Sequence, residues 1–210
     1  MLVEKIKVQS KLIRDYTNCY ILYDKQEAMC IDPGGDAEKI AERIENLGIK
    51  LKYIYLTHSH ADHTQCVEEL RCKCGGKVLI SRLGAENINK SRINMSVLIH
   101  EDININIDAR VDEGDIIHIG DSELKVINTP GHTNDGTSIY SEENEFIITG
   151  DTLMQGTYGR CDLPTGSEAE IKTSLEKLFE LPSNTIIYPG HGDSTIMFIE
   201  RDNFGEFVQA

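Results

Sequence analysis

The chain has 210 residues, 40% hydrophobic and 27% charged, which is the balance of a globular protein long enough for a substantial core. With 35 acidic against 21 basic residues the formal net charge is −14, which argues against nucleic acid or an anionic membrane as partner. No apolar run approaches the ~18 residues of a membrane span, and residues 1–10 alternate apolar and charged side chains without a signal-peptide core, so a cytoplasmic protein with a single domain over 1–210 is expected.

In chain order, residues 3–8, 20–23 and 27–31 read as successive strands, the last ending in the turn Asp32-Pro33-Gly34-Gly35. Asp36 is placed to N-cap a helix through Leu47, and Gly48 to stop it. The apolar run 53–57 reads as a buried strand, followed by a polar hexapeptide and a helix opening over 64–71. Gly75-Gly76 ends that helix, and 77–80 gives another strand. Residues 82–110 are rich in Asn and irregular; they hold a short helix or a loop, and long loops in compact proteins often flank binding sites. Strands return at 116–119, 123–128, 137–140 and 145–149. Ser167-Glu168-Ala169-Glu170 has the form of a capping box and opens a helix to about Glu180. Residues 185–188 form the last strand, and the tail from Thr195 is helical. Strands meeting helices in both halves suggest two sheets covered by helices rather than one doubly wound sheet.

Without a secretory signal, Cys19, Cys30, Cys66, Cys72, Cys74 and Cys161 are expected as reduced thiols. The spacing of Cys66, Cys72 and Cys74 fits no closed zinc motif.

The hexapeptide His58-Ser59-His60-Ala61-Asp62-His63 carries the chemistry. Four of its six side chains are metal ligands by type. On an extended chain i, i+2 and i+4 share a side, so His58, His60 and Asp62 are expected to point one way. His63, where the chain turns into the helix, reaches a second position nearby. Imidazole and carboxylate converging at this spacing suit zinc or iron. Three more residues sit on loops straight after predicted strands: His132 in Thr129-Pro130-Gly131-His132-Thr133, Asp151 in Thr149-Gly150-Asp151-Thr152, and His191 in Pro189-Gly190-His191-Gly192. Small neighbours leave the backbone room beside a crowded centre. His100 and His118 lie outside these motifs and are assigned surface or structural roles.

This ordered set resembles the metallo-β-lactamase fold over nearly the whole chain. The resemblance implies an α/β fold, an αββα sandwich with the metal site at one edge between the sheets. It implies one metal on His58, His60 and His132, another on Asp62, His63 and His191, and Asp151 bridging them. Within that superfamily, β-lactamases carry Cys or Ser where this chain has Asp151. Quorum-signal lactonases carry Tyr where it has Met154. Flavodiiron proteins have a Glu in place of the second His and an added flavodoxin domain, and the nucleases of the fold are longer. Gly159-Arg160-Cys161-Asp162-Leu163-Pro164 and Pro189-Gly190-His191-Gly192 are similar to glyoxalase II, the hydroxyacylglutathione hydrolases, in its short form. Full-length glyoxalase II has a C-terminal helical domain with basic residues for glutathione; here 19 residues follow His191, with Arg201 their one cation, so a weak hold on glutathione is implied.

The implied reaction is hydrolysis of a small acyl thioester by a hydroxide bridging two divalent metal ions per chain. Zinc is the first expectation, with iron or manganese as alternatives. Two divalent cations outweigh their two carboxylate ligands, so a bridging water loses its proton near neutral pH. A thiolate leaves without much acid assistance. Asp62 is the candidate catalytic carboxylate, orienting the nucleophile, and Asp32 the candidate to fix a ligand imidazole tautomer. Arg160 either binds a substrate carboxylate or braces its loop through Asp162. The rival reading is a persulfide dioxygenase of the same fold with one iron, which shares the Gly-Arg element but usually lacks the Gly-His-Gly form. Oligomeric state is left open.

Overall fold

The computed structural model describes residues 1–209. The first half builds a sheet from β1 (Leu2–Gln9), β2 (Tyr16–Asp24), β3 (Glu27–Ile31), β4 (Lys50–Tyr55), β5 (Lys77–Ser81) and β6 (Ala109–Val111), side by side in that order. β1, β2 and β3 pair antiparallel, and β3 through β6 pair parallel. Parallel neighbours need crossovers, and α1 (Ala37–Leu47), α2 (Ala61–Thr64), α3 (Val67–Cys74) and α4 (Arg82–Asn87) lie in them. The second half supplies β7 (Ile116–Ile119), β8 (Ser122–Asn128), β9 (Thr137–Ser141), β10 (Phe146–Gly150), the small hairpin β11 (Leu153–Met154) with β12 (Thr157–Tyr158), then α5 (Glu168–Phe179), β13 (Ile186–Pro189), β14 (Thr195–Ile196) and α6 (Met197–Gln209). Its sheet runs β14-β13-β10-β9-β8-β7.

Period-two alternation sorts the strand residues into layers. Cys19, Ile21, Ala28 and Cys30 pack with Ile40 and Ile44 of α1 and Val67 and Leu70 of α3. The alternate residues Tyr20, Leu22, Met29 and Ile31 meet Ile119, Val126, Ile139 and Ile148 of the other sheet. Beyond that sheet, Ile127, Ile147 and Ile187 pack on Leu175 and Leu178 of α5. Three cores make four layers, αββα. Strands buried on both faces read as near-continuous apolar runs, which explains why 53–57 shows no alternation.

Several local expectations shift. β4 closes at Tyr55, and the chain through His60 is irregular rather than extended, so Asp62 falls inside α2 and not on a strand with His58. The helix expected over 64–71 is broken in two around Gln65 and Cys66. Asp36 precedes α1, but at φ 52° its side chain makes no cap; it accepts instead from the Gln9 amide at 2.9 Å. Only half of the capping box forms: Ser167 Oγ accepts from Glu170 N, while Ser167 N donates to Gly131 O and ties α5 to the His132 loop. The 82–110 segment holds α4, a 3₁₀ turn at Ser96–Ile99 between the left-handed residues Met95 and His100, and the first two residues of β6. β6, β11, β12 and β14 span two or three residues each, too short to show a period.

Candidate metal centre

The sequence-predicted site residues sit at the carboxyl ends of strands, the edge where loops of parallel α/β sheets gather ligands. His58, His60, Asp62 and His63 follow β4, His132 follows β8, Asp151 follows β10, and His191 follows β13. The structure brings all seven together. His58, His60 and His132 offer ligand atoms within 4.8 Å of one another, as do Asp62, His63 and His191, and as do His58, His63 and Asp151. Cys66, Cys72 and Cys74 join no such group among the described residues. His100 and His118 are exposed and apart from it.

The separations inside the cluster test whether cations fit. A tetrahedral centre with bonds of about 2.1 Å holds neighbouring ligand atoms about 3.4 Å apart. His63 Nε2 and His191 Nε2 are 3.3 Å apart, and His191 Nε2 is 3.3 Å from Asp62 Oδ2. Asp151 Oδ1 lies 3.4 Å from His63 Nε2, and Asp151 Oδ2 lies 3.4 Å from His191 Nε2 and 3.5 Å from His132 Nε2. His132 Nε2 and His60 Nδ1 are 3.0 Å apart. His58 Nε2 is buried without a hydrogen-bond partner. Buried acceptors arranged in this way are unstable together unless a cation or protons come between them. The donor set suits divalent metal ions.

Four of the five imidazoles are held from behind, His60 being the exception, with its Nε2 buried and unpartnered. His63 Nδ1 donates to Asp32 Oδ2 at 3.0 Å, His132 Nδ1 to Arg160 O at 2.8 Å, and His191 Nδ1 to Tyr16 O at 3.0 Å. Carbonyls and carboxylates only accept, so Nδ1 carries a proton and Nε2 is the atom turned to the cluster, able to ligate once any proton on it is displaced. Asp32 also accepts from Thr57 N at 2.8 Å and Thr57 Oγ1 at 2.7 Å. The Thr57 oxygen, its proton thus committed, can accept from His58 Nδ1 at 3.1 Å. One carboxylate therefore reaches toward both triads. The His191 loop is clasped across the sheets by Asn18, whose amide N donates to Gly190 O and whose Nδ2 donates to Pro189 O and Gly192 O, and by Tyr20 Oη on Pro189 O. Gly190 is required sterically, because a Cβ there would stand 2.2 Å from Asp151 Oδ1.

The triads differ electrostatically. Burial, reinforced by His63 and His60, pushes His58 well below the usual imidazole range, and burial with the nearby His132 takes His60 down to about 4. Burial also opposes protonation of His63 and His191, but Asp151 and Asp62 outweigh it and hold them up at about 10 and about 12. Burial would raise the Asp151 carboxyl; His191 and His63 overturn this and keep it well below the carboxylate range. Asp62 is likewise lowered against its burial by His63 and His191.

The cluster floors a cleft of 380 Å³ also lined by Leu12, Ile13, Met95, Leu98, Met154 and Leu163. Arg160 lines it too, but its guanidinium makes two hydrogen bonds to Asp162, at 2.6 and 2.7 Å. Sequence reasoning left out Thr57, the Tyr16 and Arg160 carbonyls and the apolar rim. Thr57 had a signal, a hydroxyl at the strand end beside the first histidine; backbone carbonyls leave none.

Residues 12–191 match the family model of the metallo-beta-lactamase superfamily. A hydroxyacylglutathione hydrolase of Haemophilus influenzae is 32% identical over 195 residues, 88% of this chain and 89% of the relative. An uncharacterized protein of Aquifex aeolicus is 37% identical over 194 residues, 88% of each chain. The crystal structure of BLEG-1 B3 metallo-beta-lactamase superposes with TM-score 0.87 at 29% identity, over 96% of this chain and 97% of that one. TTHA1623 in a di-iron-bound form superposes with TM-score 0.82 at 26% identity, over 93% and 96%. Four layers, a His/Asp cluster at one edge between the sheets, and a family match spanning most of the sequence agree, and the chain belongs to the metallo-beta-lactamase superfamily.

Proposed function

We propose that this metal-dependent hydrolase cleaves small acyl thioesters of the hydroxyacylglutathione type. His58, His60 and His132 would hold one divalent cation, Asp62, His63 and His191 a second, with Asp151 shared. The observation that carries the reading is Asp151 Oδ2, 3.5 Å from His132 Nε2 and 3.4 Å from His191 Nε2, within reach of both triads. Imidazole and carboxylate suit zinc first, then iron or manganese. When bound, such a pair supplies a polarised carbonyl and an acidified water.

The chain's own residues set the geometry. Asp62 lines the cleft in ionised form and is placed to orient the attacking water. Asp32, Tyr16 and Arg160 fix the imidazoles that face it. Besides the cluster itself, Arg160 is the one titratable residue lining the cleft among the described residues, which suits a leaving group needing no proton. The hydroxyacylglutathione hydrolase of Haemophilus influenzae supports the thioester. With its head paired to Asp162, Arg160 is weakly available to a glutathione carboxylate.

The test is metal analysis of protein purified without added metal, beside turnover of S-lactoylglutathione, the same acyl group on a neutral truncated thiol, a lactone, a β-lactam and a persulfide. About two metals per chain and turnover of both thioesters are expected. One iron per chain with oxygen uptake on the persulfide would replace the reading with the dioxygenase, and β-lactam turnover alone would replace it with a lactamase. A loss of more than ~100-fold in kcat/KM on truncating the thiol, about 2.7 kcal/mol, would show that glutathione is gripped.

A further inference from the structure

The cleft above the cluster has walls that bond-breaking does not use. Leu12 and Ile13 come from the loop between β1 and β2, Met95 and Leu98 from the 3₁₀ region, and Met154 and Leu163 from the chain after Asp151. Leu98 is 62% exposed beside a reaction centre, where an aliphatic side chain gains only if a ligand covers it. Isolated exposed leucines are ordinary; apolar side chains converging from three segments on one cavity are not.

Two of those segments are fastened to the ligand shell. Tyr16, at the end of the loop that carries Leu12 and Ile13, gives its carbonyl to His191 Nδ1 at 3.0 Å. Asn94, beside Met95, gives its carbonyl to Ala61 N at 2.8 Å, at the start of the helix that bears Asp62 and His63. Its own side chain is buried, donating to Ile88 O at 2.5 Å and accepting from Ser96 N at 2.9 Å, so the turn is fixed relative to the cluster. The charges agree with the shape. Arg160 is the only Lys or Arg lining the cleft among the described residues, and Asp162 takes its Nε and one Nη in an exposed pair. A pocket with apolar walls and one cation already paired rewards methylenes more than added charge.

We infer that the cleft selects thioesters by an uncharged aliphatic substituent, on the acyl or the thiol side, seated between the Leu12–Ile13 loop and the Met95–Leu98 turn. The inference rests on the thioesterase reading and adds its substrate class.

Two homologous series test it on the metal-loaded enzyme, one lengthening the acyl chain on a neutral thiol and one lengthening an S-alkyl thiol on a fixed acyl group. In at least one series kcat/KM should rise about threefold per methylene until the cleft is filled. Leu98→Ser should flatten that rise, and Leu83→Ser, which changes a leucine 46% exposed outside the cleft, should preserve it. A terminal carboxylate on the longest chain should lower kcat/KM about tenfold or more. Flat series, or preference for the carboxylated substrate, would overturn the inference and return Arg160 as an anion receptor. Non-hydrolysable S-alkyl thioethers read the rim apart from the reaction. Their affinity should tighten with length; flat affinity overturns the inference, and tightening without turnover of any thioester overturns the thioesterase reading while keeping the aliphatic selection.

Discussion

Asp32→Asn isolates the group that stands behind the second triad. Asp32 sits at φ 54°, in the left-handed region that Asn tolerates as well as Asp, so the substitution adds little backbone strain. Its carboxylate accepts from three donors: Thr57 N at 2.8 Å on Oδ1, and Thr57 Oγ1 at 2.7 Å and His63 Nδ1 at 3.0 Å on Oδ2. An amide keeps one oxygen. With the oxygen toward Thr57 N, its NH₂ opposes His63 Nδ1–H; turned the other way, the NH₂ opposes the Thr57 amide. Either way a buried donor meets a donor, which costs about 1–3 kcal/mol. If His63 escapes by moving its proton to Nε2, it can no longer ligate through that atom. Loss of such a partner typically weakens metal affinity ~10–100-fold, about 1.4–2.7 kcal/mol. The expected result is greater weakening of the cation on Asp62, His63 and His191 than of the other, which Asp32 reaches only through Thr57, measured by competition with a chromophoric chelator, in protein that stays folded by circular dichroism. Unchanged affinity at both centres would refute the argument from His63.

Asp151→Asn removes the carboxylate placed between the triads and should lower kcat on the order of 100-fold or more while loosening the metal pair; a fully active variant, assayed with S-lactoylglutathione, would defeat the dinuclear reading. Gly190→Ala puts a methyl 2.2 Å from Asp151 Oδ1 and 2.7 Å from His63 Cε1, so metal content should fall before thermal stability does, as elemental analysis beside a melting curve would show. In metal-free protein His63 and His191 are held up at about 10 and about 12, so at pH 8 both carry protons that a cation must displace. Loading the Asp62–His63–His191 triad should therefore release about two protons, measured by calorimetry in buffers of different ionisation enthalpy, and weaken as pH falls; release near zero would contradict those charges. His58 is held well below the imidazole range and His60 at about 4, so neither brings a proton to displace between pH 8 and 6, and metal lost over that range should leave the Asp62–His63–His191 triad first.

What was legible in the sequence follows from what each feature rests on. The strands were readable because burial imposes period two or continuous apolar runs, and the mistaken edges were those set by pairing rather than pattern, as at Ser81 and Gly150. The convergence of His58, His60, His63, His132, Asp151 and His191 was readable because each motif follows a strand, and in the second sheet β8, β10 and β13 run in one direction, with the antiparallel β9 between β8 and β10, so their carboxyl ends share an edge. Asp62 was misread locally. The extended-chain rule put it with His58 and His60, but the chain enters α2 at Ala61 and turns Asp62 and His63 together toward His191. The family resemblance grouped these residues in the same way. Asp36 misled for a related reason: residue type marks a cap, but the Gln9 amide competes for the same carboxylate. The apolar rim was not readable, because Leu12, Met95 and Leu163 lie far apart in sequence and each alone looks like an ordinary surface leucine or methionine.

The same distinction bears on how the site divides its work. The triad of His58, His60 and His132 has no carboxylate of its own, so a cation there would be neutralised only through the shared Asp151. The triad of His63, His191 and Asp62 includes a carboxylate, and Asp32 stands behind His63 as well. A cation there would be partly neutralised. Asp151 lies between the two, with Oδ2 near both His132 and His191. The more electrophilic position would then be the all-imidazole one, whose His132 is braced by the carbonyl of Arg160. That places Arg160's backbone, rather than its side chain, nearest the chemistry. Arg160→Ala, which keeps the carbonyl, should therefore spare kcat on an uncharged thioester, whereas a change that displaces the 159–160 backbone should not. Gly159→Ala is such a change, because its Cβ would stand 2.8 Å from His132 Cγ and 2.2 Å from the Asp151 carbonyl. If Arg160→Ala costs as much as Gly159→Ala in steady-state kinetics on the same neutral substrate, the side chain acts in the reaction and this division is wrong.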